Sequence, residues 1–279
     1  MTGPVTIVHA CRRAGRGGSP TAVVDETSST DADRRAVPVA AGTSHAVFLS
    51  HATRGVVPLR FFTATGELPA CGHGTVAALA VLAERSGARE YETVLRSGGR
   101  TFVGRATVAG SRCEAFFDPG PVELRVAAPA ERASVLSALG LGPGAPCRVA
   151  SVGRPRLLVE VPDRTALAGL APDLDRLREA CDRSGLLGCY VHSAPAPDGR
   201  VAARMFAPSI GVREDIANAN STACLAAHLA GRGRCALAVD MGDSLGEPST
   251  VVATARPGPA GPLVLVGGAA TVTGSLSPG

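Results

Sequence analysis

The 279-residue chain contains no lysine; all 28 of its basic side chains are arginine. A guanidinium is not deprotonated in a protein, so an imine to a carbonyl substrate is excluded, and with it pyridoxal phosphate held by a lysine. The phosphate-binding loop of nucleotide hydrolases is missing for the same reason. The glycines of "GRGGSP" (15–20) do not satisfy G-x-G-x-x-G, so they form no dinucleotide fingerprint. Tryptophan is absent and aromatic residues make up 3% against 45% hydrophobic, so the core has to come from Ala, Val and Leu. The eight cysteines include no C-x-x-C pair. That disfavours a zinc ribbon or redox dithiol, and no metal is expected; free thiols in a reducing cytoplasm are. No apolar run approaches a membrane span, and "MTGPVTIVHACRRAG" carries no long apolar segment with a cleavage site. Acids and bases are interspersed at a net charge of +4, which gives no electrostatic footprint for nucleic acid.

What is present is a repeated order of elements. "PVTIVHA", "TAVVDE", "SHAVFLS" and "VVPLRFFTA" read as strands, followed by a helix over roughly 75–85 closed by Ser86-Gly87. "YETVLRSGG", "TFVGRATV" and "CEAFFDPG" read as a meander, and "DPGPVE" (118–123) marks a boundary. The second half runs helix, strand–turn–strand, a helix with a proline break, and more strands around "NANSTACLAAHLAGRG". Two segments overlay. Arg60-Phe61-Phe62 matches Arg204-Met205-Phe206 at an offset of 144 (60 to 204). Thr75 and its helix match Thr222 and its helix at 147 (75 to 222). The expectation is two similar domains, 1–118 and 119–279, each wrapping strands around one small-residue helix, with the last strand a candidate to return to the first domain. If the halves pack face to face, both helix N-termini open on one cleft. Their unpaired N–H groups and positive dipole ends suit a carboxylate or an enolate-like anion.

The segments "RFFTATGELPACGHGT" and "RMFAPSIGVREDIANANSTACLAAHL", with "GGSPTAVV" and "SVGRPRLLVEV", resemble the PhzF family from about Val5 to Gly274. These are phenazine-biosynthesis isomerases and relatives. The resemblance implies an α+β diaminopimelate epimerase-like fold: two pseudo-repeated domains, each a curved, mostly antiparallel sheet around a central helix, with a cleft between them. It matches the family's cleft histidine to His73 and its cleft aspartate to Asp215. Gly72, Gly74 and Thr75 form the first helix mouth. The family's Thr-Gly-Ser carboxylate loop is replaced by Asn218-Ala219-Asn220, with Ser221 next. The largest departure is the base: the family's glutamate aligns with Ser44, and His45 stands beside it. Either His45 takes over, or the work falls on His73, Asp215 or Cys71, or the reaction differs.

Diaminopimelate epimerases and proline racemases carry a cysteine at the "CGHG"-like position and a second one facing it. Cys71 fills the first place; alignment puts Ile216 at the second. Cys224 falls about five residues into its helix, roughly 7–8 Å deeper, and is expected to be buried. That disfavours a two-thiol racemase. Strand alternation leaves His45 facing either way. Arg156 is read equally as a substrate-carboxylate partner or a solvated turn. Glu67 reads as a turn marker before the helix, and His228 as a core histidine.

The reading is therefore a cofactor-independent isomerase that moves a proton, and with it a double bond, in a small unsaturated amino or carboxylic acid. The family resemblance extends to antibiotic pathways that make 4-alkyl-proline units, and to homodimers. A Cys71-based racemase or epimerase and a non-catalytic binder stay open.

Overall fold

The computed structural model describes residues 4–259 and 261–276. In chain order the first elements are β1 (Val5–Ala10), β2 (Ser19–Asp25), α1 (Asp31–Ala40), β3 (His45–Leu49), β4 (Val56–Phe62), β5 (Glu67–Leu68) and α2 (Gly72–Ser86). After them come β6 (Glu90–Ser97), β7 (Arg100–Ala109), β8 (Arg112–Phe117), β9 (Glu123–Arg125), α3 (Pro129–Ala138), β10 (Cys147–Val152) and β11 (Arg154–Val161). The remainder are α4 (Arg164–Ala168), α5 (Leu174–Arg183), β12 (Cys189–Ser193), β13 (Arg200–Ala207), β14 (Val212–Asp215), α6 (Ala219–Ala230), β15 (Ala236–Met241), β16 (Ser249–Arg256) and β17 (Leu263–Leu276). The chain divides into two units: one takes everything up to Pro119 together with the stretch from Leu265 onward, the other is Gly120–Val264.

The first unit is a ring of eight strands. β1 pairs with β2, β2 with β3, β3 with β4, β4 with β6, β6 with β7, β7 with β8, β8 with β17, and β17 returns to β1. The β2–β3 and β4–β6 pairs are parallel and the other pairs of the ring antiparallel. Helix α2 packs on six of these strands: β1, β2, β3, β6, β7 and β8. Its sequence allows this, because Val76 to Val81 and Ala83 are all buried and the helix presents no polar stripe there. A helix apolar all round belongs inside, and alanines let the ring close tightly. Gly104 on β7 contributes as well: a Cβ there would sit 2.7 Å from a Leu79 methyl.

The second unit repeats the ladder. β10–β11 is antiparallel, β11–β12 parallel, β12–β13 antiparallel, β13–β15 parallel and β15–β16 antiparallel. Helix α6 packs on β10, β15 and β16. The registers obey the sequence offset: Val56↔Val94 in the first unit becomes Arg200↔Ala238 in the second, both moved by 144 (56 to 200, 94 to 238). Side chains follow. Arg60 lies 4.9 Å over the Phe62 ring and pairs with Glu67 at 2.7 Å; Arg204 lies 4.9 Å over the Phe206 ring and pairs with Glu214 at 2.8 Å. Glu67 thus lies in the short β5 strand, paired with Arg60, and not in the turn its place in the sequence suggests.

Two details depart from the sequence reading. Helix α2 starts at Gly72, so His73 and Gly74 lie in its first turn. Helix α1, to which no element was assigned, is set by a capping box between Thr30 and Asp33 and carries Pro38 inside it. The proline hid a short helix whose Val37 packs with Ala22, Val24, Ala46, Phe48 and Phe62.

Candidate active site

The mouth of α2 is built by close packing. Cys71 is the N-cap in extended conformation, φ −142° and ψ 115°, and its side chain makes no capping bond. Its carbonyl accepts from Thr75 N at 3.0 Å and from Thr75 Oγ1 at 2.8 Å. Gly74 leaves room for the thiol, since a Cβ there would lie 3.0 Å from the Phe61 ring and 3.1 Å from Cys71 Sγ. The preceding loop is held where Ser97 Oγ donates to the Pro69 carbonyl at 3.1 Å. Cys71 Sγ thereby meets His73 Nε2 at 3.5 Å.

The third member comes from β3. Both faces of this strand are buried, because α1 covers one and α2 the other, so burial parity alone cannot orient it. Ala46 and Phe48 join the α1 cluster. Alternation then sends His45 to the opposite face, where its ring stands edge-on to that of His73, centroids 4.4 Å apart and planes at 83°. Ser44 Oγ hydrogen-bonds His45 Nδ1 at 2.8 Å. All three of His45, Cys71 and His73 are buried. Burial first, and the neighbouring His73 second, push the His45 pKa well below the ordinary imidazole value, so its ring is neutral near pH 7.

The mouth of α6 has the same backbone and different chemistry. Its N-cap is Asn218, whose Oδ1 accepts from Ser221 N at 2.9 Å and whose Nδ2 donates to Asp215 Oδ2 at 2.9 Å. Thr222 repeats the Thr75 pattern, with N and Oγ1 both donating to the Asn218 carbonyl at 3.0 Å. Ser249 Oγ fixes the Ile216 carbonyl at 2.6 Å. Below the cap, Arg156 is 2% exposed; one terminal nitrogen donates to Ser221 Oγ at 3.1 Å and the other to the Arg154 carbonyl at 2.8 Å. Its Nε meets no acceptor. The alternative of a solvated turn for Arg156 is therefore excluded.

Ser44, His45, Cys71, Gly72, His73, Gly74 and Thr75 thus form one group in the first unit; Arg156, Asp215, Asn218, Asn220 and Ser221 lie at or beside the cap of α6 in the second. Tyr190 and Met241, absent from the sequence reading, complete the latter. Tyr190 OH hydrogen-bonds Thr222 Oγ1 at 2.8 Å and Met241 Sδ at 3.4 Å, and its buried phenol is pushed up above the usual range. The second of only two tyrosines, within the strand-like "GCYVHSA", was the available signal. The cap geometry also corrects an alignment: the residue at α6 equivalent to Cys71 is Asn218, offset 147 (71 to 218), not Ile216. Cys224 is fully buried, with a thiol pKa raised by burial. The cap position of α6 thus carries an amide where that of α2 carries a thiol, which weighs against two-thiol racemisation.

Residues 11–275 match the family model described as phenazine biosynthesis-like protein. The chain is 30% identical over 254 residues to an "uncharacterized isomerase" of Deinococcus radiodurans, covering 85% of this chain and 81% of that protein. It is 30% identical over 206 residues to a trans-2,3-dihydro-3-hydroxyanthranilate isomerase of Pseudomonas fluorescens, covering 71% and 70%. A predicted epimerase from Pseudomonas aeruginosa, of solved structure, aligns with a TM-score of 0.84 at 26% identity over 99% of each chain. No helix among the described residues is long and apolar enough to cross a membrane.

Proposed function

We propose a specific reaction for this chain, which belongs to the phenazine biosynthesis-like family and is an isomerase: cofactor-independent transfer of one proton within a small, unsaturated amino or carboxylic acid. The observation that carries the proposal is the His45–His73 pair at the mouth of α2. A neutral imidazole is a competent base near pH 7, and two imidazoles 4.4 Å apart resist carrying two positive charges. The pair therefore suits a single proton. One ring nitrogen takes a proton from a substrate carbon, the C–H electrons move into the conjugated system, and the same proton returns to another carbon as the double bond shifts. No oxidant or reductant is consumed. Ser44 occupies the place where the family's glutamate is expected, and its hydroxyl orients His45 instead of acting as a base. His45 in this reading supplies the lost basic function by way of His73.

The second half of the proposal concerns the carboxylate. The α6 mouth offers backbone N–H groups, Ser221 and the buried Arg156, donors suited to a carboxylate and to charge developing next to it. Asp215, held by Asn218, is the candidate second acid–base group. The Pseudomonas relative's name points to a dihydro-hydroxyanthranilate, but the replaced glutamate and the Asn218-Ala219-Asn220 loop favour a different ring acid, with a 4-alkyl-proline precursor of antibiotic synthesis as the leading class. A homodimer in a reducing cytoplasm belongs to the same reading; all eight cysteines are free.

The test is a screen of cyclic diene amino acids, with trans-2,3-dihydro-3-hydroxyanthranilate as comparator, in deuterated water. A product with a shifted double bond, and one deuteron where the shuttle exchanges with solvent, is expected. Inversion at Cα without double-bond movement, abolished by Cys71→Ala, would instead make the protein a thiol-based epimerase.

A further inference from the structure

The mouth of α2 gathers three side chains whose joint chemistry is not needed by proton transfer alone. His45, Cys71 and His73 each present a ligand atom, and these atoms all lie within 4.8 Å of one another. Two nitrogens and one sulfur, all buried, form the donor set that borderline-soft divalent ions prefer over the oxygen sets of calcium and magnesium. The spacing can be compared with a coordination sphere. With Zn–S of about 2.3 Å and Zn–N of about 2.05 Å, two ligands at a tetrahedral angle lie about 3.5 Å apart. Cys71 Sγ and His73 Nε2 are 3.5 Å apart.

The surroundings fit as well. A metal-bound histidine usually has its other ring nitrogen tied to a hydrogen-bond partner, which fixes the tautomer and the ring plane. His45 Nδ1 is tied to Ser44 Oγ at 2.8 Å, leaving Nε2 as the ligating atom. Cys71 is held from two sides, by the Thr75 bonds to its carbonyl and by the wall of Gly74 and Phe61 beside its sulfur. The rigidity a metal site needs is thus already present.

We propose that His45, Cys71 and His73 form a binding site for a zinc-class divalent ion, with one coordination position left for water or a ligand carboxylate. Binding replaces the proton on the Cys71 sulfur with the metal ion, and that proton goes to solvent. The ion occupies the lone pairs assigned above to proton transfer. If that assignment holds, micromolar zinc inhibits isomerisation reversibly, and a chelator restores it. The binding itself does not depend on the assignment.

The experiment titrates Co2+, then Zn2+, into the metal-free full-length protein, following absorbance and calorimetry. One equivalent of Co2+ is expected, with a thiolate-to-cobalt charge-transfer band and the intense visible bands of a four-coordinate ion, all displaced by Zn2+. Cys235→Ser, which removes the exposed thiol, leaves the spectrum unchanged. Cys71→Ser abolishes the charge-transfer band, and Ser44→Ala weakens binding by about 10- to 100-fold, the usual cost of losing an outer hydrogen bond. A wild-type protein that takes up no stoichiometric Co2+, or a charge-transfer band that survives Cys71→Ser, overturns the site. Should Cys71→Ser fail to fold, His45→Gln decides: unchanged affinity also overturns it.

Discussion

The mouths of α2 and α6 are copies in backbone and opposites in chemistry. Both follow a short strand, both have an extended N-cap, and in both a threonine four residues on donates twice to the cap carbonyl. In the first unit the cap is Cys71 with His73 two residues on; in the second it is Asn218 with Asn220. Where β5 has Leu68 opposite Phe61, β14 has Asp215 opposite Met205. Titratable soft groups thus collect at one mouth. Amides, hydroxyls, a carboxylate and a buried guanidinium collect at the other. The duplicated framework supplies two helix N-termini, and the side chains around them have diverged into a thiol–imidazole set and an amide–carboxylate set.

Exchanging residues between the mouths tests that division. His73→Asn gives the first mouth the residue of the second, and we expect kcat/KM to fall by about 10²- to 10⁴-fold, the range of a lost general acid–base group. Retention of full activity in both His73→Asn and His45→Gln would falsify the dyad. Asn218→Ala removes a cap and the donor that holds Asp215, with an expected loss of about 1–2 kcal/mol of stability in denaturant unfolding. Cys71→Ser puts a capping hydroxyl where α2 has none, so the same measurement should show no loss, and a gain of up to about 1 kcal/mol if the introduced hydroxyl bonds the first turn. Equal losses in the two variants would mean that the caps are not distinguished in this way.

The smallest effect is on the acid side of the stability profile. His45 in the first unit, and His192 and His228 in the second, all have pKa values lowered chiefly by burial, His228 to about 4. The unfolded chain then binds more protons than the folded one between those values and the ordinary 6.5, so stability is present above about pH 6.5 and declines as pH falls below it. His45→Gln should flatten the fall of Tm below about pH 6.5, and so should His192→Gln. An unchanged slope in either variant would mean that its histidine does not contribute.

Much of the fold was legible because its signals are local or repeated. The Arg-x-Phe match at 60–62 and 204–206, and the small-residue helices behind Thr75 and Thr222, revealed the duplication; the structure places the paired registers at the same offset. Helix α1 was hidden by Pro38, since a proline inside ten residues outweighs a capping box on inspection. His45 could not be oriented, because a strand buried on both faces loses the polar alternation that would reveal its inward side. Arg156 and Tyr190 were ambiguous or invisible for a related reason: their partners, Ser221 and Thr222, lie 65 and 32 residues away.

The chain by itself determined the absence of lysine chemistry, a core of small aliphatic residues, two copies of a strand-and-helix plan, and the identity of the groups at each helix mouth. Tertiary structure alone decided that His45 meets Cys71 and His73, and that Arg156 is buried beneath Ser221. The reason is geometric. Composition and period act along the chain, whereas a proton relay or a ligand sphere depends on distances of a few ångströms between strands and helices, which ladder register and the close packing of alanine and glycine establish.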